Sequence, residues 1–506
     1  MSELSARQRW VLVACSLAVG LAFLDETAVV TALRRIQGDF DATSAETQWI
    51  MGAYLLALAS LMAAAGRLAD LYGRRRLFLV GAGLFGAGSI VSTVAPSEEV
   101  LIAARALQGA GAALLMPLGM ANATSALPEE KRGWVVGIVS TGGTLFLAAG
   151  PVVGGALTEL VGWRSIFAIN VPVVLVIVAI ALRHFPESRA PVREPLDTRG
   201  FALLVLGLVA LTTALLNLQD WGAGSAATLG TLAAAVALLL AFVHAERRVA
   251  HPLVQLELLR SPAVSGLLVA LFAIQFSILG LTVYLTFYLQ HVLGYSAVVA
   301  GLLSLPTVIA APILSSPTGR LTDRLGARGP TAVAMALAAV SLGLIALLSG
   351  EREVALLLPA FLIFGIARPI ATVAGTAGTV GAISREARGL ASALVTQARQ
   401  LGAVLGVAVL GIVLTAIETD RRTELLHGVD RGFDTASREA LDGILAGSDQ
   451  SAQLLSRLSP DAQQAAKQAA ASAITDGFRA AILVAALLAT AGALAAWLLG
   501  RRATAA

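Results

Sequence analysis

The feature that most constrains this chain is a succession of long apolar runs separated by short polar breaks. Fourteen runs can be marked, and each has close to the roughly 20 residues that a helix needs to cross the hydrocarbon core of a bilayer. Hydrophobic residues make up 57% of the 506 residues and charged residues only 13%, against roughly 25% charged in soluble domains. The sequence therefore predicts an all-α polytopic membrane protein with 14 transmembrane helices.

The polar breaks set the limits of the predicted spans. The spans lie at 10–33, 47–66, 77–95, 99–121, 133–160, 165–183, 200–218, 225–245, 263–289, 297–318, 330–349, 354–380, 389–416 and 478–500. Arg7 and Arg9 precede the first run, as in a signal peptide. The length of that run and its acidic residues favour a span that is retained.

Several functional classes are disfavoured by what the chain lacks. With the single cysteine Cys15 and five scattered histidines, we expect no disulfide, no metal site and no cofactor. The basic residues are dispersed between apolar runs, which argues against a nucleic-acid partner. We find no Gly-x-x-x-x-Gly-Lys sequence and no Ser/His/Asp constellation at membrane depth. We therefore do not expect an enzyme.

The distribution of basic residues predicts the orientation. In the short loops and at the termini, 22 lysines and arginines fall on one side, and the short loops of the other side hold only Arg34, Arg35, Arg164 and Arg352. The richer side is expected to be cytoplasmic, with both termini. The polar insert 417–477 then faces outward, and Ser459-Pro460-Asp461 predicts a capped surface helix that leads into the last span. The arginine-, alanine- and glycine-rich composition suggests a bacterial cytoplasmic membrane.

An internal repeat organises the chain. Residues 66–75 recur as residues 319–328, with six of ten positions identical at an offset of 253, and Arg132-Gly133 pairs with Arg388-Gly389 at an offset of 256. Two duplicated six-span halves with a two-helix insertion explain this pattern. We predict an N-terminal bundle at 1–184, a linker with two inserted helices at 185–262, and a C-terminal bundle at 263–506 that includes the outer loop 417–477.

Five stretches carry a resemblance to a known family. Residues 66–76 resemble the cytoplasmic loop signature of the major facilitator superfamily. The others resemble the fourteen-span drug:proton antiporters of the EmrB/QacA type: Leu24-Asp25-Glu26-Thr27, Arg105-Ala106-Leu107-Gln108-Gly109-Ala110-Gly111, Gly150-Pro151-Val152-Val153-Gly154-Gly155 and Arg399-Gln400-Leu401-Gly402. The resemblance implies the major facilitator fold, two six-helix bundles plus two inserted helices, and the exchange of protons for a small molecule.

The repeated loop is the expected gate. The resemblance implies that it stabilises one access state and opens in the other. In the loop, glycines allow close approach of helix ends, and arginines anchor the cytoplasmic side. Simple anchoring would explain the arginines but not the acidic residue in each copy. The candidate gating residues are Gly66, Asp70, Gly73, Arg74, Arg75 and Asp323.

Asp25, Glu26 and Arg105 are the candidates for proton coupling. The two acids are adjacent, so they point about 100 degrees apart on a helix. Burial and mutual repulsion both favour their protonation near neutral pH, as a proton carrier needs. Two alternatives remain open: the acids are satisfied structurally by arginines such as Arg105, or Arg105 reaches the membrane surface. Arg399 and Gln400 are candidate cavity residues. Arg368 has no family position.

Span 5 carries the glycine and proline signature typical of exporters: Gly150, Pro151, Gly154 and Gly155. The glycines permit close helix packing, and proline bends the helix. Packing alone would explain both effects. The resemblance implies in addition that this bend seals the cytoplasmic side against leak.

The expected function is proton-coupled export of amphipathic drugs or metabolites by a monomer in the lipid bilayer. The proton gradient would supply the energy. Acidic residues in the cavity admit a cationic substrate, whereas the arginines there could equally receive an anionic one. The alternatives are a dedicated exporter of one natural product, a proton-coupled uptake symporter, and a membrane-embedded enzyme or sensor.

Overall fold

The computed structural model describes residues 4–42, 44–127, 132–187, 197–222, 224–249, 256–350, 353–383, 388–429 and 460–499. Every regular element in these ranges is a helix. The all-α prediction is therefore confirmed for the part of the chain that the structure describes.

The first seven helices form the N-terminal half. They are α1 (Ala6–Phe40), α2 (Ser44–Tyr72), α3 (Arg74–Thr93), α4 (Glu98–Ser125), α5 (Arg132–Leu160), α6 (Arg164–Ala168) and α7 (Asn170–His184). The predicted sixth span is divided at Ile169 into the short α6 and the longer α7. Ser5 caps the start of α1 and forms a capping box with Gln8. The side chain of each residue accepts a hydrogen bond from the backbone N–H of the other.

Three helices follow between the halves, and seven form the C-terminal half. The connecting helices are α8 (Thr198–Leu216), α9 (Leu218–Trp221) and α10 (Ala226–Glu246). The helices of the C-terminal half are α11 (Pro262–His291), α12 (Ala297–Ser304), α13 (Ala311–Leu325), α14 (Arg328–Leu348), α15 (Leu358–Gly381), α16 (Arg388–Val429) and α17 (Pro460–Leu499). Short 3-10 turns occur at Leu256–Arg260, Leu305–Thr307 and Val354–Leu356.

The helices lie at the places of the predicted spans. Among the described residues, 12 helical stretches are long and apolar enough to cross a membrane. The helices α2 and α5 add two 29-residue rods at the second and fifth predicted spans. At about 1.5 Å per residue, a helix of that length exceeds the roughly 30 Å of hydrocarbon.

The predicted outer insert 417–477 is more helical than expected. The helix α16 continues to Val429, and α17 begins at Pro460, so only 430–459 falls outside the described residues. The alanine and glutamine residues after Pro460 are good helix formers, and a helix already nucleated in the membrane extends at little cost. The predicted helix after Ser459 is thus continuous with the last span.

The two halves pack their helices in the same pattern. In the N-terminal half α1 packs on α5 and α3 on α4, and in the C-terminal half α11 packs on α16 and α14 on α15. The sequence repeat relates α3 to α14 and α5 to α16, and the order of the helices then relates α1 to α11 and α4 to α15. The two halves therefore contain equivalent helix pairs. The inserted helices α8 and α10 pack on each other, and α8 also contacts α2 and α16, so the hairpin lies along the side of both halves. Leu56, Leu204, Leu208 and Phe242 form its small buried core.

Two sides of the bundle can be distinguished by the loops they carry. The α2–α3 and α13–α14 junctions contain the repeated loops and lie on what we call the repeat-loop side. Gly73 and Gly326, equivalent in the repeat, both have positive φ there, at 104° and 74°. Glycine adopts this conformation without the clash that a Cβ would cause. The other side, where α1 ends and α12 begins, is called the opposite side.

Candidate functional site

A buried polar network surrounds Asp25 in the N-terminal half. Asp25 and Arg105 are both 0% exposed, and Nη1 of Arg105 donates to Oδ2 of Asp25. The other carboxylate oxygen accepts from Nδ2 of Asn170 at 2.8 Å and from Nε2 of Gln108 at 3.3 Å. The network therefore ties α1, α4 and α7 together through one carboxylate.

Arg105 is held in place by several further contacts. Its Nε donates to the carbonyl of Ile50 at 3.2 Å, and its Nη1 also lies 3.0 Å from Oε1 of Gln108. Its guanidinium carbon stands 4.3 Å from the centre of the Tyr54 ring. A cation this deep is tolerated because it is paired and hydrogen-bonded. The alternative that Arg105 reaches the membrane surface is wrong for this structure.

The network includes residues that the sequence analysis did not select. Asn170 begins α7, and its Nδ2 also lies 3.3 Å from Oγ of Ser89. Ser89 in turn accepts from Nε2 of Gln108 at 2.9 Å. A polar amide at the start of the apolar run of span 6 is itself a signal, because polar groups within membrane spans are costly. Ser89 carries no such signal, since serine is common in membrane helices.

Glu26 has different surroundings from Asp25. It is 4% exposed, yet its carboxylate makes no hydrogen bond or ion pair with any residue that the structure describes. Its nearby cations are Arg399 and Arg368 of the C-terminal half and, more weakly, Arg105. The adjacent acids of α1 thus face different partners: Asp25 is bound within its own half, and Glu26 faces the other half.

Arg368 and Arg399 form a pair of cations on the C-terminal half. They lie on α15 and α16, and both are half-buried. Nε and Nη2 of Arg399 each lie 3.4 Å from Oε1 of Gln275 on α11, which makes these bonds long and weak. The guanidinium of Arg368 has no partner among the described residues. Gln400, the other predicted cavity residue, is half-buried and likewise makes no described hydrogen bond.

The first repeated loop is fastened to the end of α7. The backbone N–H of Arg75 donates to Glu187 at 3.2 Å, and Arg76 lies 3.7 Å from the same carboxylate. A Cβ on Gly73 would collide with that carboxylate. Nη1 of Arg74 donates to Oγ of Ser125 at 3.3 Å. Gly66 and Asp70, predicted to take part in gating, lie on α2, but the surroundings of Gly66 and the side chain of Asp70 lie outside the described part.

In the described part of the chain, the second repeated loop is held only near its end, where Nε of Arg328 donates to the Trp497 carbonyl at 2.9 Å. Asp323 is exposed and makes no hydrogen bond or ion pair with a described residue. Cβ atoms built on Gly319 and Gly326 would meet nothing within 4 Å. The two copies of the loop therefore differ in their contacts although they occupy equivalent places in the two halves.

The span 5 signature packs against both halves. Cβ atoms on Gly150 and Gly154 would clash with Thr27 and with the Ala28 carbonyl of α1, and one on Gly155 would lie 2.6 Å from the Ala297 carbonyl of α12. Because α5 runs from the repeat-loop side to the opposite side, residues 150–155 lie in the half of the bundle near the opposite side. In this conformation their contacts are with α1 and α12, and the sealing role stays a prediction.

The described hydrogen bonds between the halves all lie toward the opposite side. Nη1 of Arg34 donates to the Gln290 carbonyl at 2.6 Å, and Nε2 of Gln290 donates to the Thr31 carbonyl at 3.2 Å. Glu159 of α5 accepts from the backbone N–H of Val298 in the first turn of α12 at 2.9 Å. These bonds join the two halves on that side.

A small cavity remains among these contacts. Its volume is ≈ 60 Å³, and its lining includes Val30, Arg34, Tyr284, His291 and Val407. Pockets for drug-sized ligands are typically about 300–1,000 Å³. This cavity is therefore too small for such molecules, and it lies where the two halves are in contact.

Comparison with known proteins identifies the architecture. The family model described as Major Facilitator Superfamily matches residues 15–407. This chain belongs to the major facilitator superfamily. The multidrug resistance protein Stp of Mycobacterium tuberculosis (strain CDC 1551 / Oshkosh) is 35% identical over 412 residues, covering 80% of this chain and 75% of that protein. The tetracenomycin C resistance and export protein of Streptomyces glaucescens is 35% identical over 421 residues, 82% of this chain and 77% of that protein.

A solved structure shows the same major facilitator fold. A bacterial homolog of the human lysosomal transporter Spinster, crystallised in an inward-facing and unoccupied conformation, has a TM-score of 0.69 at 17% sequence identity, with 99% of this chain and 98% of that chain covered. The family resemblance predicted from the sequence motifs is thus confirmed, and the relatives are drug and antibiotic resistance exporters.

We expect the substitution Glu159→Gln to loosen the closed side of this major facilitator protein. The carboxylate caps a helix of the other half, and a lost cap costs about 0.5–2 kcal/mol. The population in which the halves separate on the opposite side should rise. Spin labels at Val161 and Val299, on the two halves, would report this by double electron–electron resonance as a longer distance.

The same change at Glu99, at the start of α4 and within one half, is the matched control. An unchanged distance distribution would show that Glu159 does not hold the halves.

Proposed function

We propose that this protein is a proton-coupled antiporter that exports amphipathic drugs or metabolites across a bacterial cytoplasmic membrane. It works as a monomer, and the proton gradient is its energy source, without a cofactor. The observation that carries the proposal is the fully buried pair of Asp25 and Arg105 at the centre of the N-terminal half. Its relatives, named for multidrug resistance and antibiotic export, support the direction of transport.

Protonation of Asp25 would couple the proton to a change of conformation. A neutral carboxyl group no longer balances the charge of Arg105, and an unpaired buried cation is strongly unfavourable. Arg105 cannot relax where it is, because Tyr54 and Ile50 hold it. The energy is lowered if α1 and α4 rearrange so that the guanidinium gains water or another acceptor. Proton entry thereby favours one access state over the other.

The two access states follow from the contacts between the halves. The excess of arginine and lysine supports a cytoplasmic location for the repeat-loop side, so the bonds between the halves lie on the outer side, as an inward-open state requires. In this state the substrate enters and Asp25 is ionised. Separation of the bonds around Arg34, Gln290 and Glu159 would open the other state, in which the substrate leaves and a proton from outside reaches Asp25.

The test uses the substitution Asp25→Asn, which removes the charge and keeps the shape of the side chain. One amide oxygen replaces two carboxylate oxygens, so it can accept from Asn170 or from Arg105 but does not serve both. The amount of protein in the membrane is therefore measured as well, and efflux is expressed per transporter. We expect protonophore-sensitive efflux of ethidium or fluorescein from expressing cells to fall by about tenfold or more, equivalent to at least about 1.4 kcal/mol. Initial efflux rates with and without a protonophore measure this.

Asp41→Asn is the matched control, since it makes the same change on the same helix. Asp41 is exposed at the end of α1 with φ of 53°, a conformation that asparagine also adopts readily. Efflux at the wild-type rate by the Asp25→Asn protein would contradict the assigned role. Transport that needs ATP and resists the protonophore would contradict proton coupling altogether.

Efflux of several unrelated compounds would indicate a multidrug exporter, and efflux of one compound would indicate a dedicated one.

A further inference from the structure

The charges near the middle of the membrane do not balance. Arg105 neutralises Asp25. Glu26 is then the one remaining acid of α1 at this depth, and it faces two arginines, Arg368 and Arg399. The predicted spans of the C-terminal half, from residue 263 onward, contain no aspartate or glutamate. The wall formed by α15 and α16 therefore carries surplus positive charge where a cation is costly.

The two arginines lie at similar depth and on adjacent helices. Arg368 lies 13 residues before the end of α15 at Gly381, and Arg399 lies 11 residues after the start of α16 at Arg388. These two helix ends are on the repeat-loop side, so the arginines are about 20 Å and about 17 Å from it. The helices α15 and α16 pack together. The two guanidinium groups are close enough for their like charges to repel each other, and an anion bound between them would relieve this repulsion.

The hydrogen-bonding capacity of this pair is largely unused. Two guanidinium groups carry roughly ten N–H donors, and the described residues offer them one acceptor, Oε1 of Gln275, at 3.4 Å. Glu26 is buried and also unpartnered among the described residues, although it lies close enough to interact electrostatically with both arginines. A guanidinium fork matches a carboxylate in two parallel hydrogen bonds.

We propose that Arg368 and Arg399 bind the anionic group, a carboxylate or an acidic phenolate, of an amphipathic organic anion, and that Gln275 orients Arg399 toward it. This inference rests on the proposed function and names the substrate class of the same site. Glu26 competes with the substrate for the two arginines. When ionised, its carboxylate attracts the arginines while the site is empty and repels the negative charge of an incoming substrate. The site therefore favours anionic substrates over the cationic ones that the acidic residues of α1 suggest by themselves.

Binding of two dyes that share one ring system would test the proposal. Fluorescein is an anionic xanthene and rhodamine 123 a cationic one at neutral pH, so their comparison isolates charge. Fluorescence anisotropy of each dye with the purified full-length protein in nanodiscs gives the dissociation constants without any proton gradient. We expect fluorescein to bind more tightly than rhodamine 123.

Substitutions separate the roles of the three charged residues. Arg368→Gln and Arg399→Gln should each weaken fluorescein binding by about tenfold, the loss of one charge-assisted contact. Glu26→Gln should tighten it severalfold. Arg260→Gln, which removes an exposed arginine outside the site, should leave the dissociation constant unchanged. Arg368→Lys keeps the positive charge but lacks the planar guanidinium fork. A dissociation constant between those of wild type and Arg368→Gln would show that the protein is folded and that the geometry of the guanidinium contributes to binding.

Two outcomes would overturn the inference. One is that fluorescein binds equally to wild type and to the two glutamine variants, including no measurable binding to any of them. The other is that rhodamine 123 binds more tightly and loses affinity in Glu26→Gln. Neither outcome affects the proposed function, because proton-driven efflux depends on Asp25 and is measured separately. Conversely, loss of proton coupling with the dye results intact would leave an anion-binding site in a transporter with another energy source.

Discussion

Replacing Arg105 by methionine is expected to be among the most damaging single changes in this protein. The substitution keeps apolar contact with Tyr54 but leaves Asp25 buried and without its ion partner. Removal of one member of a buried ion pair typically costs about 3–5 kcal/mol. The midpoint of thermal unfolding of the detergent-purified protein should fall clearly, and the amount in the membrane should fall with it.

The double variant Asp25→Asn with Arg105→Met distinguishes charge from packing. With both charges gone, no ion is left unpaired, so much of the lost stability should return. Proton-coupled efflux should not return, because no titratable group remains at the pair. Arg35→Met, at an exposed arginine of α1, controls for the general effect of the substitution. If the double variant were no more stable than Arg105→Met alone, the pair would not be the unit that stabilises these helices.

Replacing Gly154 by alanine is expected to disrupt the contact between α1 and α5. A Cβ there would collide with the Ala28 carbonyl and lie 2.7 Å from Oγ1 of Thr31. A backbone carbonyl cannot move aside like a flexible side chain, so α1 and α5 must separate. Overpacking of this kind costs about 1–3 kcal/mol. Because α1 carries Asp25 and Glu26, efflux should decrease together with the unfolding temperature.

Gly83→Ala is the matched control for this change. Gly83 lies inside α3, and a Cβ there would meet nothing within 4 Å. Alanine in place of an unconstrained helical glycine should be neutral or stabilise by up to about 1 kcal/mol. Similar thermal stability of the Gly154→Ala and Gly83→Ala proteins would mean that the α1–α5 contact has more freedom than its geometry indicates.

The sequence predicted much of the architecture because the bilayer restricts the choices. A span must be a helix of about 20 apolar residues, so the number and places of the helices could be read from apolar runs. The motif resemblance then predicted the superfamily, which the comparisons bear out. Helix ends were predicted less well: α16 extends 13 residues beyond the predicted limit of 416, because a polar helix outside the membrane shows no apolar boundary.

The candidate site was predicted in its residues but not in its pairing. Asp25, Glu26 and Arg105 stand out as charges within apolar runs, and so does Arg368. Nothing in the sequence distinguishes the partner of Asp25 from that of Glu26, since adjacent residues share the same local pattern. Asn170 was missed because a single amide near the start of a span does not by itself indicate a functional site. Its importance follows from its hydrogen bond to Asp25, which only the structure shows.

The sequence by itself determined that this chain spans a membrane, that it is duplicated, and which charges lie within its spans. Each of these properties depends on local composition or on similarity between two segments. Tertiary structure alone decided that Asp25 is bound by Arg105 whereas Glu26 faces Arg368 and Arg399, and that the halves close on the opposite side. Those facts arise from contacts between residues as far apart as 259 positions, where the packing angle of helices, not the order of residues, sets the distance between side chains.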